Sequence, residues 1–99
     1  MTRVPVIRNR ILKSAETHCQ SWHSVQAITG KGLMIGLVMP DVCAELVSVA
    51  LENKLLINVT AGNVIRLLPA LTLTDDEADM IGARLAKAID QYSTQRAQV

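Results

Sequence analysis

The sequence predicts an α+β domain: a small, mostly antiparallel sheet with helices packed on one face. Three observations carry the expectation. Helical and strand periodicities follow one another in the order helix, one or two strands, helix, strand, strand, helix. The last two strand segments are separated only by a short turn containing Gly62 and Asn63, the pattern of a hairpin. The chain has 99 residues, of which 49% are hydrophobic and 19% charged. That is the length of one domain, enough to bury roughly 60–70% of its unfolded surface without a disulfide or a metal.

Taken in order, residues 5–19 repeat apolar side chains at helical spacing. Ile7, Ile11, Ala15 and Cys19 form one stripe with Leu12 beside it, and Pro5 suits a first helical turn. In "HSVQAITGKGLMIGLVMP", residues 25–29 fit a short strand and Gly30 and Gly32 a turn around Lys31. Residues 33–39 then read as a strand apolar on both faces, in which Gly36 lets another backbone approach closely. Pro40 stops that strand, and Asp41 is the expected N-cap of a helix reaching Lys54, with Val42, Leu46, Val49 and Ala50 on its apolar stripe. Residues 55–58 and 64–68 read as the hairpin strands, the second ended by Pro69. The uncovered face of the sheet is expected to be unusually apolar, because the strands carry few polar positions. Thr74 and Glu77 match a capping box, and the acids between and beside them favour a helix start through the macrodipole. Ala78, Ile81, Leu85, Ala88, Ile89 and Tyr92 line one face of that last helix, with fraying expected from Ser93.

Composition excludes several functions. The net charge of +1 gives no pull toward nucleic acid or anionic lipid. Arg3, Arg8, Arg10 and Lys13 cluster near the start, but no aromatics accompany them for base stacking, so a solvated helix face is expected and nucleic-acid contact is disfavoured. With no Phe, one Trp and one Tyr, the core must be aliphatic. No apolar run reaches the ~20 residues of a membrane span, and nothing resembles a secretory signal. Cys19 and Cys43 read as small buried thiols in a reduced, cytoplasmic setting. His18, Cys19 and His23 lie close together, yet histidines five apart do not share a helix face and no fourth ligand is apparent, so no metal is expected. Gly30-Lys31-Gly32 lacks the upstream glycine and following Ser/Thr of a phosphate-binding loop.

One position stands out against this background. Arg66 sits in the centre of the apolar strand "VIRLL". Strand side chains alternate, so Arg66 shares a face with Val64 and Leu68 while Ile65 and Leu67 point the other way. If helices cover the second face, the guanidinium projects from the first. It cannot shed its proton at physiological pH, so it must reach water, a carboxylate or a phosphate. An exposed arginine, one paired with a structural acid, and a carboxylate-binding arginine at a domain edge all fit the pattern.

The stretch "GKGLMIGL", a helix, and then "LLINVTAGNVIRLLPALTLTDDEAD" resemble the C-terminal small domain of class III aminotransferases, and within that class acetylornithine aminotransferases. The resemblance covers residues 25–89 and is densest over 55–77. It implies a single small-domain-like unit over residues 23–92, preceded by a loosely matched helix within 1–22, and leaves the tail over 93–99, already expected to fray, outside it. It also implies that the complete enzyme uses pyridoxal phosphate and moves an amino group between N-acetylornithine and 2-oxoglutarate, in arginine biosynthesis. Such enzymes work as dimers with sites between a large and a small domain. By the same resemblance Arg66 faces that site, holding a substrate carboxylate or pairing with a gating glutamate, and Thr60, Gly62 and Asn63 lie near its edge.

Transamination needs a lysine held against the cofactor, an acid at the pyridine nitrogen and a phosphate cup. The resemblance assigns all three to the large domain. Lys31 reads as a turn residue, and Lys13, Lys54 and Lys87 as solvated helix positions, so no cofactor is expected in this chain and catalysis by it alone is not expected. Two readings remain open: an isolated aminotransferase small domain, or a self-standing interaction and dimerisation module with the same fold. Either expects self-association or a large aminotransferase domain as partner.

Overall fold

The computed structural model describes residues 3–41, 43–70 and 72–97. Helix α1 spans Val4–His18 and is followed by a single 3-10 turn, Trp22–Ser24. Strands β1 (Ala27–Thr29) and β2 (Ile35–Val38) come next, then helix α2 (Leu46–Glu52). Strands β3 (Asn58–Thr60) and β4 (Val64–Leu67) lead to the long helix α3 (Asp75–Ala97). The strands form one sheet in the order β1-β2-β4-β3, with every neighbouring pair antiparallel. The expected α+β class and hairpin therefore hold.

The odd-numbered residues of the two central strands make the covered face. Ile35 stands opposite Leu67 and Leu37 opposite Ile65, and all four are buried. They join Ile7 and Ile11 of α1, Leu46 and Val49 of α2, and Leu85 and Ile89 of α3 in one aliphatic core. Each fully buried aliphatic side chain contributes about 1.5–3 kcal/mol. The apolar stripes read in α1 and α3 are the ones that face this core.

Helices α1 and α3 lie side by side and run in the same direction, since Arg3 meets Asp75, Arg10 meets Asp79 and Cys19 meets Asp90. They cross closely at Gly82, where a Cβ would collide with the Ile11 carbonyl oxygen and the Ala15 amide nitrogen. Arg3 and Arg10 are not simply solvated. Arg3 bonds Asp75 at 2.7 Å and Arg10 bonds Asp79 at 2.6 Å, with all four side chains about half exposed. The Arg3 guanidinium holds the Asp75 carboxyl below the usual carboxylate range, and the Asp79 carboxylate raises Arg10. Exposed pairs of this kind stabilise little individually. Arg8 turns the other way and donates to three carbonyls of the turn between β1 and β2: Thr29 at 3.1 Å, Gly32 at 3.3 Å and Met34 at 2.8 Å. Gly30 and Gly32 have φ of +99° and +59°, as a tight turn there requires.

Strands β1 and β2 are shorter than the sequence reading, Ala27–Thr29 and Ile35–Val38, and three other boundaries differ more. Asp41 is not a helix N-cap; α2 begins at Leu46, with Glu45 at the cap position and no side-chain cap bond. The reason lies in the hairpin. Its Asn63 carbonyl takes the Met39 N–H at 2.8 Å and its Gly62 carbonyl takes the Cys43 N–H at 2.7 Å, so the chain after β2 stays beside the turn before it can coil. The expected stripe position Val42 lies outside the described residues. Strand β3 starts at Asn58 and not at Leu55, because Leu55 still belongs to the helix exit. Lys54 adopts φ +61°, its N–H bonds the Leu51 carbonyl, and the Leu55 N–H bonds the Ala50 carbonyl. That is a Schellman closure with lysine where glycine is usual. The segment expected to fray from Ser93 is helical through Ala97. At its other end α3 has the predicted capping box: the Glu77 N–H donates to Thr74 Oγ1 at 3.2 Å, and the Thr74 N–H to Glu77 Oε1 at 2.9 Å.

Candidate functional site

The even-numbered positions of β2, β3 and β4, with the odd-numbered positions of β1, form the uncovered face. Register sets Thr29, Gly36, Arg66 and Asn58 in one row, and Ala27, Val38, Val64 and Thr60 in the next. This face is less apolar than the strand sequences suggested, because its central rows carry small and polar side chains. Gly36 is buried against the Thr29 side chain, which leaves no room for a Cβ. Continuing the register one step brings Met34, Leu68 and Leu56 into a third row, and there the large aliphatics concentrate. Leu56 is 81% exposed and Leu68 76%.

Arg66 projects from this face and is exposed. Among the described residues the only polar contact of its side chain is one N–H donated to Met34 Sδ at 3.1 Å, and it enters no ion pair. A thioether is a weak acceptor, and a guanidinium carries five donors, so most of its hydrogen-bonding capacity is open to a ligand. It borders a shallow recess of about 490 Å³ shared with Met34, Leu56, Asn58 and Leu68. A planar fork beside aliphatic walls suits two parallel bonds to a carboxylate. Because the side chain packs on little, Arg66→Ala is expected to change the unfolding free energy by no more than about 0.5 kcal/mol, measured by urea denaturation.

The other residues expected at the site are distributed unevenly. Thr60 shares the face with Arg66, one row away. Gly62 has φ +82° and lies with Asn63 in the hairpin turn. The Asn63 side chain donates to the Met39 carbonyl at 2.9 Å, so it holds the turn to the segment after β2. Asn58, opposite Arg66 in the ladder, was missed, as were Met34 and Leu56, whereas Leu68 was already read on the face of Arg66. The signal for Asn58 and Leu56 was the hairpin register itself, which pairs 58 with 66 once the turn is centred on Gly62, while Met34 follows only from the pairing of β2 with β4.

The histidine and cysteine cluster does a different job. His18 Nδ1 donates to the Ser14 carbonyl at 2.8 Å, while the Cys19 thiol turns to Asp90 at 3.4 Å. Burial and the Asp90 carboxylate push the Cys19 thiol up to about 12, so it stays protonated and is no nucleophile at neutral pH. Among the described residues no three His, Cys, Asp or Glu side chains are grouped to hold a metal ion, and no helix is long and apolar enough to cross a membrane.

No family model matches the chain. Its relatives are nevertheless consistent. It is 35% identical to the acetylornithine aminotransferase of Nitrosomonas europaea over 96 residues, which cover 97% of this chain and 24% of that protein. It is 44% identical to acetylornithine aminotransferase 1 of Bordetella pertussis over 69 residues, 70% of this chain and 18% of the relative. Among solved structures, N-acetylornithine aminotransferase from Stenotrophomonas maltophilia superposes with a TM-score of 0.81 at 23% identity, over 95% of this chain and 27% of that one. The acetylornithine aminotransferase of Elizabethkingia anophelis gives 0.76 at 26% identity, over 90% and 24%. The chain thus spans about a quarter of the length of the proteins it resembles.

Pyridoxal phosphate, the group these enzymes imply, does not fit the residues here. Lys13, Lys31, Lys54 and Lys87 are all exposed, and none lines the recess at Arg66. A Schiff-base lysine must instead be walled in against its cofactor. The fold, the matched sequence and the short coverage agree: this chain is similar, over almost its whole length, to the small-domain part of class III aminotransferases of the acetylornithine type.

Proposed function

We propose that the chain acts as the small-domain part of an acetylornithine-type aminotransferase and supplies Arg66 to a composite site. The complete enzyme would be dimeric and cytoplasmic. It would use pyridoxal phosphate to exchange an amino group between N-acetylornithine and 2-oxoglutarate, in arginine biosynthesis. The single observation that supports this reading most is an exposed arginine with no carboxylate partner among the described residues, on a sheet face whose helices lie on the other side. Thr60, Gly62 and Asn63 would form the edge of that site. Alone, the chain would be silent, because transamination needs a lysine walled in against the cofactor, and its four lysines lie exposed and away from the recess at Arg66.

The test is a graft. The chain alone, mixed with pyridoxal phosphate, N-acetylornithine and 2-oxoglutarate, is expected to form no glutamate. Replacing the matching quarter of the Nitrosomonas europaea enzyme with this chain is expected to give an active chimera. Arg66→Ala in that chimera is expected to lower kcat/KM by about 10- to 100-fold, the range of one charge-assisted hydrogen bond to a carboxylate. Turnover by the chain alone, or an Arg66→Ala chimera as active as its parent, would overturn the reading. The alternative, a self-standing interaction module, would use the exposed Leu56 and Leu68, which ask for a covering surface in either case.

A further inference from the structure

Arg66 leans on a sulfur. One guanidinium N–H is donated to Met34 Sδ at 3.1 Å, and both side chains border the same recess. The backbone fixes where that sulfur sits. The Met34 N–H bonds the Lys31 carbonyl at 3.0 Å, and the Met34 carbonyl accepts from Arg8 at 2.8 Å. Position 34 immediately precedes β2, with the parity that sends side chains to the uncovered face. Met34 is half-buried, so its thioether lies at the surface with a cation beside it. The other methionines are placed differently. Met39 is buried in the core, and Met80 is 49% exposed on α3, on the far side of the sheet from Arg66. Met1 lies outside the described residues.

A thioether is a weak acceptor, which is why this bond leaves Arg66 open. Oxidation reverses that. A sulfur lone pair attacks one oxygen of hydrogen peroxide, and the S–O bond forms as the O–O bond breaks. The departing hydroxide takes the proton from the transferred oxygen and leaves as water. Sulfur loses two electrons and peroxide gains them. The sulfoxide oxygen carries partial negative charge and accepts hydrogen bonds well. It forms one bond away from an atom already 3.1 Å from the guanidinium, so the resulting hydrogen bond is short and charge-assisted. A recess open to a substrate carboxylate is open to peroxide, a smaller molecule.

We infer that Met34 is an oxidation site whose sulfoxide captures the Arg66 guanidinium and withdraws it from carboxylate binding. Two thiols of a sulfoxide reductase reverse the capture: they become a disulfide, and the oxygen leaves as water. The inference rests on the reading of Arg66 as a carboxylate-seeking group. Its test follows guanidinium chemistry and no turnover, so it fails or succeeds separately from the graft.

Phenylglyoxal condenses with guanidinium nitrogens and so reports how free the Arg66 N–H groups are. The full chain would be treated with hydrogen peroxide and its oxidised residues located by peptide mass spectrometry. The rate of phenylglyoxal addition at Arg66 would be compared before and after. Met34 and Met80 are expected to gain one oxygen each, and Met39 none. Addition at Arg66 is expected to slow about tenfold, because a charge-assisted hydrogen bond must first break. The two epimer-specific methionine sulfoxide reductases with dithiothreitol are expected to restore the original rate, a comparison that needs no variant. Met80→Leu is expected to keep the slowing and Met34→Leu to abolish it, with circular dichroism checking that each is folded. Three results would overturn the inference: Met34 left unoxidised when Met80 is fully converted, an Arg66 that reacts as fast beside the sulfoxide as beside the thioether, or a slowing that persists in Met34→Leu.

Discussion

Gly82→Val is expected to destabilise the fold by about 3 kcal/mol or more, read as a lower urea midpoint by circular dichroism at 222 nm. Helix propensity alone predicts the opposite sign for a simple Gly82→Ala change, since glycine inside a helix costs ~1 kcal/mol relative to alanine. Packing reverses it. The atoms that a Cβ at position 82 would meet are the Ile11 carbonyl oxygen, the Ala15 amide nitrogen and Ser14 Cβ, all within 3.0 Å. Two of these are α1 backbone and cannot rotate away, so the helices must separate. That movement opens the interface holding Ile7, Ile11, Ala15, Leu85 and Ile89, and overpacking alone typically costs 1–3 kcal/mol. A branched side chain adds a second clash beyond Cβ. Unchanged stability in Gly82→Val would mean that α1 and α3 do not meet at this crossing.

Asp90→Ala is expected to cost about 2 kcal/mol at pH 7 and much less at pH 3, measured as the difference from wild type across a pH series of urea melts. The Asp90 carboxylate accepts the Gln20 N–H at 2.9 Å and the Ser21 N–H at 2.8 Å, where α1 has ended and the chain turns toward the sheet. Hydrogen bonds to a charged group are worth roughly 1.5–3 kcal/mol each, discounted here because the pair is partly open to water. Partial burial pushes the Asp90 carboxyl up, but the backbone N–H groups of Gln20 and Ser21 outweigh it, helped by the Ser21 and Cys19 side chains. The carboxyl therefore lies below its ordinary value of 3.8 in the folded protein. A carboxyl lowered by folding stabilises fully above its unfolded value, and that stabilisation disappears as pH falls through the folded one. Asp75 and Glu77 are lowered for the same class of reason and shift acid stability in the same direction. A wild-type advantage over Asp90→Ala that stayed constant down to pH 3 would contradict this account.

Much of the molecule was legible without coordinates wherever the deciding interaction is local. The stripe Ile7, Ile11, Ala15, Cys19 is a consequence of helical pitch, and the capping box of Thr74 and Glu77 closes within four residues. The hairpin follows from a turn whose Gly62 tolerates φ of +82°. The alternation that sends Ile65 and Leu67 inward and Arg66 outward is a property of any strand, so the candidate site could be read from residue parity.

What failed depended on partners distant in the chain. Asp41 has the chemistry of an N-cap, but the Gly62 and Asn63 carbonyls claim the following backbone first. Arg3, Arg8 and Arg10 looked equivalent on one helix, yet two meet acids about 70 residues away and the third clamps a turn. Gly82 gave no sign of its partner until α1 was set against α3. Sequence by itself determined the element types, the buried faces and the outward arginine, because backbone geometry repeats over a few residues. Only tertiary structure decided which residues of β2 accompany Arg66, Gly36 beside it and Met34 one row on, and how far Leu56 and Leu68 stand exposed. That outcome is set by strand register and helix crossing, which are fixed by long-range packing and not by any neighbour in the chain.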